Sequence, residues 1–217
     1  LYSKKFKMVK KIKIYKNFKI KNSDKNSIVL IGNFDGLHAG HQKLFKQAQK
    51  FKKKLKLKLG VITFDPIPKM FFDKKIKNYR ISNFDQKVSY FEKFNVDFLI
   101  NKSFNKKFSK ITYSKFIQNI LYKNLNVKYI FVSNNFRFGY KREGNVSLLK
   151  SYQKKYKYKV VNPKPLIIKN KVISSTFVRK LLQNAELNSA NKILKRNWSI
   201  EGTVEKGRML GKKIGFP

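Results

Sequence analysis

The chain has 217 residues and contains no cysteine, which excludes disulfide bonds, thiolate metal sites and a cysteine nucleophile. This length can hold one ordinary α/β domain, or one domain and part of a second. No apolar run approaches the ~18 residues of a transmembrane helix, and none of the signal-peptide type follows the basic start at residues 4–11. We therefore expect a cytoplasmic protein that is not anchored in a membrane.

The formal net charge is +41, from 52 lysines and arginines against 11 aspartates and glutamates. Such an excess is typical of proteins that bind nucleic acid, because clustered cations release counterions from the phosphate backbone. Here the lysines are spread along the whole chain, and Asn, Ile, Phe and Tyr are abundant while Ala, Gly and Pro are scarce. This composition is the one expected of residues with A/T-rich codons, so we predict no specific nucleic-acid partner.

Short extended apolar runs alternate with longer stretches of helical period, which predicts a parallel sheet with helices on both faces. The predicted strands are residues 12–15, 27–31, 59–64, 98–100, 129–132 and 158–161. The predicted helices are residues 40–53, 84–94, 113–122, 146–154, 176–183 and 187–194. Residues 198–204 then alternate like an exposed strand and begin a glycine-rich segment, which predicts the start of a β-rich unit.

The strongest functional signal is the segment GNFDGLHAGH at residues 32–41, between a predicted strand and a predicted helix. Backbone amides and the positive dipole at a helix N-terminus form an anion site, and glycines allow a phosphate to approach the backbone. His38 and His41 are the only two histidines in the chain. Both can be directed at the same phosphates, where an imidazole N–H stabilises the charge that develops during phosphoryl or nucleotidyl transfer.

A tight turn with incidental histidines, or a metal-binding pair, would have the same spacing. The placement of both histidines among glycines at the carboxyl end of a strand favours the phosphate site.

Three further segments carry polar or aromatic side chains next to predicted elements. The segment TFDPIP at residues 63–68 is a proline-rich loop at the carboxyl end of a strand, where open α/β sheets bind ligands. The segment NFRFG at residues 135–139 offers two aromatic rings and an arginine that can stack or pair with phosphate. The segment ISSTFVR at residues 173–179 has the hydroxyls of a helix N-cap, which can also bind phosphate. A rigid loop, aromatic packing and a capped helix are the plain structural alternatives.

Residues 38–41 match the HxGH motif of the nucleotidylyltransferase superfamily, and the longer string at residues 32–41 resembles the adenylyltransferase module of bacterial bifunctional riboflavin kinase/FAD synthetases. The other three segments are similar to the TF(D/E)PHP, (D/N)FRFG and ISSTxIR motifs of the same group. Ile67 stands where a histidine is common, Asn135 where Asp is common, and Val172 where some relatives carry Arg. The resemblance implies a Rossmann-like domain followed by the first strands of a β-barrel.

The resemblance also implies that the domain transfers AMP from ATP to FMN with the help of Mg²⁺, and it implies roles for individual residues. The residues expected to act in catalysis are His38, His41 and Arg179, the last on the departing pyrophosphate. The residues expected to bind ATP are Gly32, Asn33, Phe34, Asp35, Gly40, Asn135, Arg137, Gly139, Ser174, Ser175 and Thr176. The residues expected to bind FMN are Phe64, Asp65, Pro66 and Phe138, and no residue is expected to bind a metal ion directly.

The end of the chain, residues 201–217, resembles the opening of the riboflavin kinase barrel of the same family. We expect residues 1–186 to form the FMN adenylyltransferase domain and residues 187–217 to form a linker helix and a truncated start of the kinase domain. The kinase catalytic base would lie further on, so we expect FAD synthase activity and no riboflavin kinase activity from this chain. The full-length protein is expected to have both.

Three other functions are compatible with parts of the sequence. A related HxGH enzyme could use another small acceptor, such as phosphopantetheine, nicotinamide mononucleotide or glycerol phosphate, although such relatives would not be expected to carry NFRFG. A basic nucleic-acid-binding protein would explain the charge. A domain without catalysis would explain the departures at Ile67 and Asn135.

Overall fold

The computed structural model describes residues 11–76, 79–168 and 170–203, together with Gly207 and Gly215. Its strands are β1 (Lys13–Tyr15), β2 (Ile28–Ile31), β3 (Leu59–Asp65), β4 (Phe98–Ser103), β5 (Tyr129–Phe131), β6 (Lys159–Val161), β7 (Ile167–Ile168) and β8 (Lys171–Val172). The first six form one parallel sheet in the order β1-β4-β3-β2-β5-β6, and β7 and β8 form a separate antiparallel hairpin. Every residue of β2 is buried, as expected of a central strand covered on both faces.

Helices cover both faces of this sheet. They are α1 (Ala39–Leu55), α2 (Pro68–Phe72), α3 (Phe84–Lys93), α4 (Lys106–Ser109), α5 (Tyr113–Lys115) with a π-helical continuation (Phe116–Asn124), α6 (Val146–Ser151), α7 (Gln153–Tyr156), α8 (Ser175–Gln183) and α9 (Leu187–Leu194).

Two apolar cores lie between the sheet and its helices. On one face, Phe45 of α1 and Phe91 of α3 are completely buried. On the other face, Ile117 and Leu121 of the π-helical segment and Leu149 of α6 are equally buried. Since each such side chain contributes ~1.5–3 kcal/mol on burial, these helices are held firmly against the sheet. Within the described ranges, no helix combines the length and the apolar character needed to cross a bilayer.

A smaller core joins α8 and α9. Val178 and Leu181 of α8 are buried together with Ala190 and Ile193 of α9, and Ile81, which precedes α3, belongs to the same cluster. This packing connects the last two helices to the loop before α3.

The structure confirms the predicted parallel sheet, since all six predicted strands are present with small shifts of their ends. Each predicted helix is also found, although the one predicted at residues 146–154 is divided at Tyr152, where ψ is 0° and α6 ends. The short elements α2, α4 and the β7–β8 hairpin were not predicted, because two to five residues are too few to show a period. Of the strand predicted at residues 198–204, residues 198–203 are described, and they do not form a strand. Val204 and most of the residues predicted to follow in a barrel lie outside the described residues.

The order of the strands creates a crevice at one edge of the sheet. The chain leaves β2 toward β3 on one side, while β5 pairs with β2 on the other side. Connections therefore diverge at the carboxyl ends of β2 and β5, which is where open α/β sheets bind ligands. The histidine turn (residues 32–41) follows β2, and the segment at residues 135–139 follows β5.

Candidate functional site

The two histidines lie together at the start of α1. Their rings stack with centroids 3.7 Å apart and planes 21° apart. The Nδ1 atom of His38 accepts a hydrogen bond of 3.4 Å from the His41 backbone N–H and thereby caps α1. A neutral His38 must then carry its proton on Nε2, where it can act as a donor.

Both imidazoles are held in the neutral form. Burial, reinforced by the positive charge of Arg179, lowers the pKa of His38 to about 4. Burial also lowers the pKa of His41 well below its usual range, and the charges of His38 and Lys87 act in the same direction. The Nδ1 atom of His41 is buried and has no hydrogen-bond partner among the described residues. Near neutral pH the pair therefore presents imidazole N–H groups and not imidazolium ions.

Asp35 anchors the histidine turn from behind. Its carboxylate is almost fully buried and accepts backbone hydrogen bonds from Ile81 at 3.0 Å and Ser82 at 3.3 Å. It also pairs with Arg179, whose Nη2 atom lies 2.6 Å from Asp35 Oδ2. Arg179 further donates to the carbonyl of Tyr79 at 2.8 Å and lies 3.7 Å from the centroid of that ring. Asp35 and Arg179 are thus neighbours of the cavity described below and do not line it.

The start of α8 lies directly beside the histidine turn. The hydroxyl of Ser174 caps α8 by accepting a 3.2 Å hydrogen bond from the Phe177 backbone N–H. The hydroxyl of Ser175 donates to the carbonyl of Asp35 at 2.9 Å, which links the two segments. A Cβ atom on Gly40 would lie only 3.5 Å from the Ile173 carbonyl oxygen. The N-termini of α1 and α8 therefore meet at one place.

A cavity of about 970 Å³ opens over these two helix starts. Its walls include most of the residues predicted to bind ATP: Gly32, Asn33, Phe34, Gly40, Asn135, Arg137, Gly139, Ser174, Ser175 and Thr176. Both histidines line it as well, as do Phe64 and Phe138 from the predicted FMN set, whereas Asp65 and Pro66 do not. Asp65 pairs instead with Arg80. The structure thus brings together the turn after β2, the segment after β5 and the start of α8.

The charged side chains around this cavity are almost all basic. The cationic lining residues are Lys43, Lys69, Arg137, Lys141, Arg142 and Lys164, against Asp73 as the acidic one. Within the described residues, no group of three or more His, Asp or Glu side chains could hold a metal ion. The arrangement suits polyanionic ligands, since cations at a cleft raise the local concentration of anions.

The segment at residues 135–139 forms one wall through a tight hairpin. Phe138 and Gly144 exchange backbone hydrogen bonds of 3.1 and 2.8 Å, and the rings of Phe136 and Phe138 stack with centroids 5.4 Å apart. Gly139 has φ = +80°, and a Cβ atom there would lie 2.7 Å from the Tyr113 nitrogen. Only glycine fits this position. The turn leaves Arg137 exposed beside the cavity.

Another part of the cavity lining is an aromatic wall, of which only Phe64 was predicted from the sequence. Phe72 of α2, Phe108 of α4 and Phe104, which precedes α4, line the cavity together with Phe64. The ring of Phe64 lies 5.6 Å from that of Phe108 and 6.1 Å from that of Phe104. Phe72 remains 70% exposed although it is a large apolar residue. Phe104 precedes α4 and Phe108 lies within it, so helical spacing does not explain their ring contact, and no local pattern in the sequence indicated this wall.

Comparison with known proteins identifies the family of the chain. A family model described as FAD synthetase matches residues 20–177. The bifunctional riboflavin kinase/FMN adenylyltransferase of Buchnera aphidicola subsp. Schizaphis graminum is 41% identical over 199 residues, which cover 91% of this chain and 64% of that protein. The protein of the same name from Escherichia coli K12 is 34% identical over 190 residues, which cover 88% of this chain and 61% of that protein. The chain thus spans less than two thirds of the length of these relatives.

Two solved structures share the fold. One, described as a macrolide-efflux protein from Streptococcus pneumoniae, has a TM-score of 0.79 at 27% identity and covers 95% of this chain and 67% of that chain. Pantoate-beta-alanine ligase from Francisella tularensis has a TM-score of 0.52 at 18% identity, with 94% and 85% covered, which is a likeness of fold alone. Because the family model matches well over half of the sequence, the chain belongs to the FAD synthetase family.

Proposed function

We propose that this chain transfers AMP from ATP to FMN and releases FAD and pyrophosphate. The observation that carries the proposal is that the two histidines and the start of α8 open on one cavity, although more than 130 residues separate them in sequence. Both relatives described above are named for the same activity, FMN adenylyltransferase. The six basic side chains around the cavity suit two phosphate-bearing substrates.

In this proposal the triphosphate of ATP lies across the N-termini of α1 and α8, whose free amides and dipoles attract anions. His38 and His41 donate to the α- and β-phosphates. Thr176, which is exposed at the start of α8, supplies a hydroxyl for the β- and γ-phosphates, which leave together. Adenine lies toward Asn135 and Gly139, with Arg137 free to stack or to pair with phosphate.

The isoalloxazine ring of FMN would rest on the aromatic wall. Phe64, Phe104 and Phe108 offer ring faces and edges beside the phosphate region, and aromatic side chains bind planar rings through stacked or edge-to-face contacts. Phe72 is exposed at the mouth of the cavity and gains a partner when the ring is bound. The aromatic wall thus provides a place for the acceptor next to that for ATP.

The chemistry requires no protein nucleophile. A phosphate oxygen of FMN forms a bond to the α-phosphorus of ATP, the bond from that phosphorus to the bridging oxygen breaks, and pyrophosphate leaves with the electron pair. Catalysis then rests on positioning and on stabilising the charge that develops. Neutral imidazoles serve this purpose as N–H donors, and one such donor is typically worth ~3 kcal/mol in the transition state.

Two of the residues predicted for the site, Asp35 and Arg179, lie behind the cavity. Arg179 was expected to contact pyrophosphate, but its side chain is engaged by Asp35 and Tyr79. In the proposal Arg179 and Asp35 form an ion pair that holds the histidine turn in place from behind the cavity. In the proposal Mg²⁺ enters as part of the substrate MgATP, since Mg²⁺ is commonly held through phosphate oxygens.

The proposal extends to the organisation and location of the protein. Residues 1–186 form the adenylyltransferase module, and residues 187–217 form a linker helix and the start of a riboflavin kinase domain. ATP and FMN are its small-molecule partners, and the cytoplasm is its compartment, a location that the lack of cysteine favours.

The test is to incubate the purified chain with MgATP and either FMN or riboflavin and to separate the flavins. We expect FAD and pyrophosphate from FMN, and neither FMN nor FAD from riboflavin. Phosphopantetheine and nicotinamide mononucleotide serve as control acceptors, and adenylylation of either in place of FMN would reassign the substrate. A basic nucleic-acid-binding protein would instead show salt-sensitive binding to nucleic acid without turnover.

A further inference from the structure

Three consecutive backbone carbonyls of the histidine turn each accept a hydrogen bond from a side chain outside the turn. The carbonyl of Asp35 accepts from Ser175 Oγ at 2.9 Å. The carbonyl of Gly36 accepts from Arg196 Nη2 at 2.8 Å, and that of Leu37 accepts from Gln42 Nε2 at 2.9 Å.

This turn needs external support because of its backbone conformation. The φ angles of Phe34, Gly36 and Leu37 are +47°, +73° and +37°. Left-handed φ values are unfavourable for Phe and Leu and persist only where the surroundings enforce them. The hydrogen bonds to the three carbonyls, together with the buried carboxylate of Asp35, supply that enforcement.

Arg196 contributes to this support from the far end of the chain. It belongs to the exit segment (residues 195–199), which follows α9. Its guanidinium lies 3.9 Å from the centroid of the Tyr90 ring, and its Nη1 atom donates to the Leu194 carbonyl at 3.2 Å. Gln42 also donates to that carbonyl at 2.8 Å. The histidine turn, the first turn of α1 and the exit segment therefore share one set of hydrogen bonds.

The remainder of the exit segment is fixed to the start of α3. Trp198 Nε1 donates to the Ile81 carbonyl at 2.9 Å, and Gln86 Nε2 donates to the Ser199 carbonyl at 3.1 Å. Ile81 is also the residue whose backbone N–H is bound by Asp35. The exit segment is thus attached both to the turn and to the residues that anchor it.

We propose that Arg196 is a positioning residue for adenylyl transfer, and that the exit segment is a structural part of the nucleotide site. Arg196 fixes the Gly36 carbonyl and so fixes the backbone that presents His38 two residues later. It contacts neither substrate, since it does not line the cavity. The kinetic test of this inference rests on the proposed function. The claim that Arg196 fixes the backbone of the histidine turn does not depend on that function.

The kinetic test compares Arg196→Ala and Arg196→Lys with Lys192→Ala, which removes an exposed cation from α9. We expect Arg196→Ala to lower kcat at least tenfold, which corresponds to about 1.4 kcal/mol in the activation barrier. The KM for ATP should stay within about threefold of the wild-type value, because the lost interaction acts on the transition state. Lysine can donate to Gly36 but cannot reproduce the planar fork of arginine, so Arg196→Lys should recover part of kcat. Lys192→Ala should behave as wild type.

A second measurement does not depend on activity. The chain has two histidines, so its imidazole C–H NMR spectrum contains two sets of signals. We expect both sets to move in Arg196→Ala and to stay in place in Lys192→Ala. If wild type makes no FAD from FMN, the proposed function fails and this spectrum alone decides on Arg196.

The proposal is overturned if the imidazole signals of Arg196→Ala coincide with those of wild type. It is likewise overturned if kcat of Arg196→Ala stays within twofold of that of Lys192→Ala, or if its loss of kcat equals its loss of folded protein measured by circular dichroism.

Discussion

Replacement of Asp35 by Asn tests whether the histidine turn depends on its buried carboxylate. In the wild type this carboxylate accepts backbone hydrogen bonds from Ile81 and Ser82 and pairs with Arg179. The side chain of Asp35 is 3% exposed and that of Arg179 is 15% exposed, so water can replace little of what is lost. The asparagine amide keeps one oxygen acceptor, but its NH₂ group faces N–H donors.

The expected cost follows from these contacts. Breaking a buried ion pair by neutralising one partner typically costs 3–5 kcal/mol. Because the remaining oxygen of Asn can still accept a backbone hydrogen bond and Arg179 keeps its bond to Tyr79, we expect the lower end, about 3 kcal/mol. For a chain of this size 1 kcal/mol corresponds to roughly 2–4 °C, so the midpoint of thermal unfolding should fall by roughly 6–12 °C.

Urea and thermal unfolding followed by circular dichroism measure this change. The matched control is Asp73→Asn, because Asp73 is exposed and accepts one local backbone hydrogen bond from Lys75; it should stay within about 0.5 kcal/mol of wild type. The double variant Asp35→Asn/Arg179→Met should lose less than the sum of the two single variants, since both remove the same interaction. A free energy of unfolding for Asp35→Asn within 1 kcal/mol of wild type would refute the role given to the carboxylate.

Three further predictions concern the cavity. Replacement of His41 by Ala should lower kcat on the order of a hundredfold, measured as FAD formation at saturating substrates; a loss of only a few-fold would contradict its role. The pKa of His38 in the folded chain is about 4, below the ordinary value near 6.5. Between these two pH values the unfolded chain therefore binds more protons than the folded chain. The free energy of unfolding should fall by up to about 3 kcal/mol as the pH drops from 6.5 to 4. His38→Asn, which keeps a capping oxygen, should show a smaller fall, and an unchanged pH dependence in urea titrations would exclude His38 as a source. Replacement of Phe108 by Ala should raise KM for FMN about tenfold while that for ATP changes less than threefold, and equal changes would argue against the aromatic wall as the FMN site.

The main helices and strands could be predicted because each has a recognisable pattern of apolar residues in its own stretch of sequence. The central strand at residues 28–31 is a continuous apolar run, and α1 repeats Leu44, Phe45 and Ala48 on one face. The short helices α2 and α4 could not be predicted, since four or five residues are too few to show a helical period.

The candidate site was predictable to the extent that it is built from contiguous motifs. The histidine turn and the hydroxyls of α8 are each local, and the parallel topology places the histidine turn and the segment after β5 at one edge of the sheet. The start of α8 follows the separate β7–β8 hairpin and reaches this edge through tertiary contacts such as that of Ser175 with Asp35. Which side chains face inward is a tertiary property. Asp35 and Arg179 belong to the motifs but point behind the cavity and bind each other. Arg196 supports Gly36 across 160 residues, and no local pattern indicates that contact.

The most direct test of the central claim is a crystal structure of the chain with FMN and a non-hydrolysable ATP analogue. The account predicts one nucleotide in the cavity, with its phosphates within hydrogen-bond distance of the His38 or His41 imidazole and of the Thr176 hydroxyl, and with the flavin ring against Phe108. A nucleotide bound elsewhere, or one whose phosphates contact neither imidazole, would contradict it.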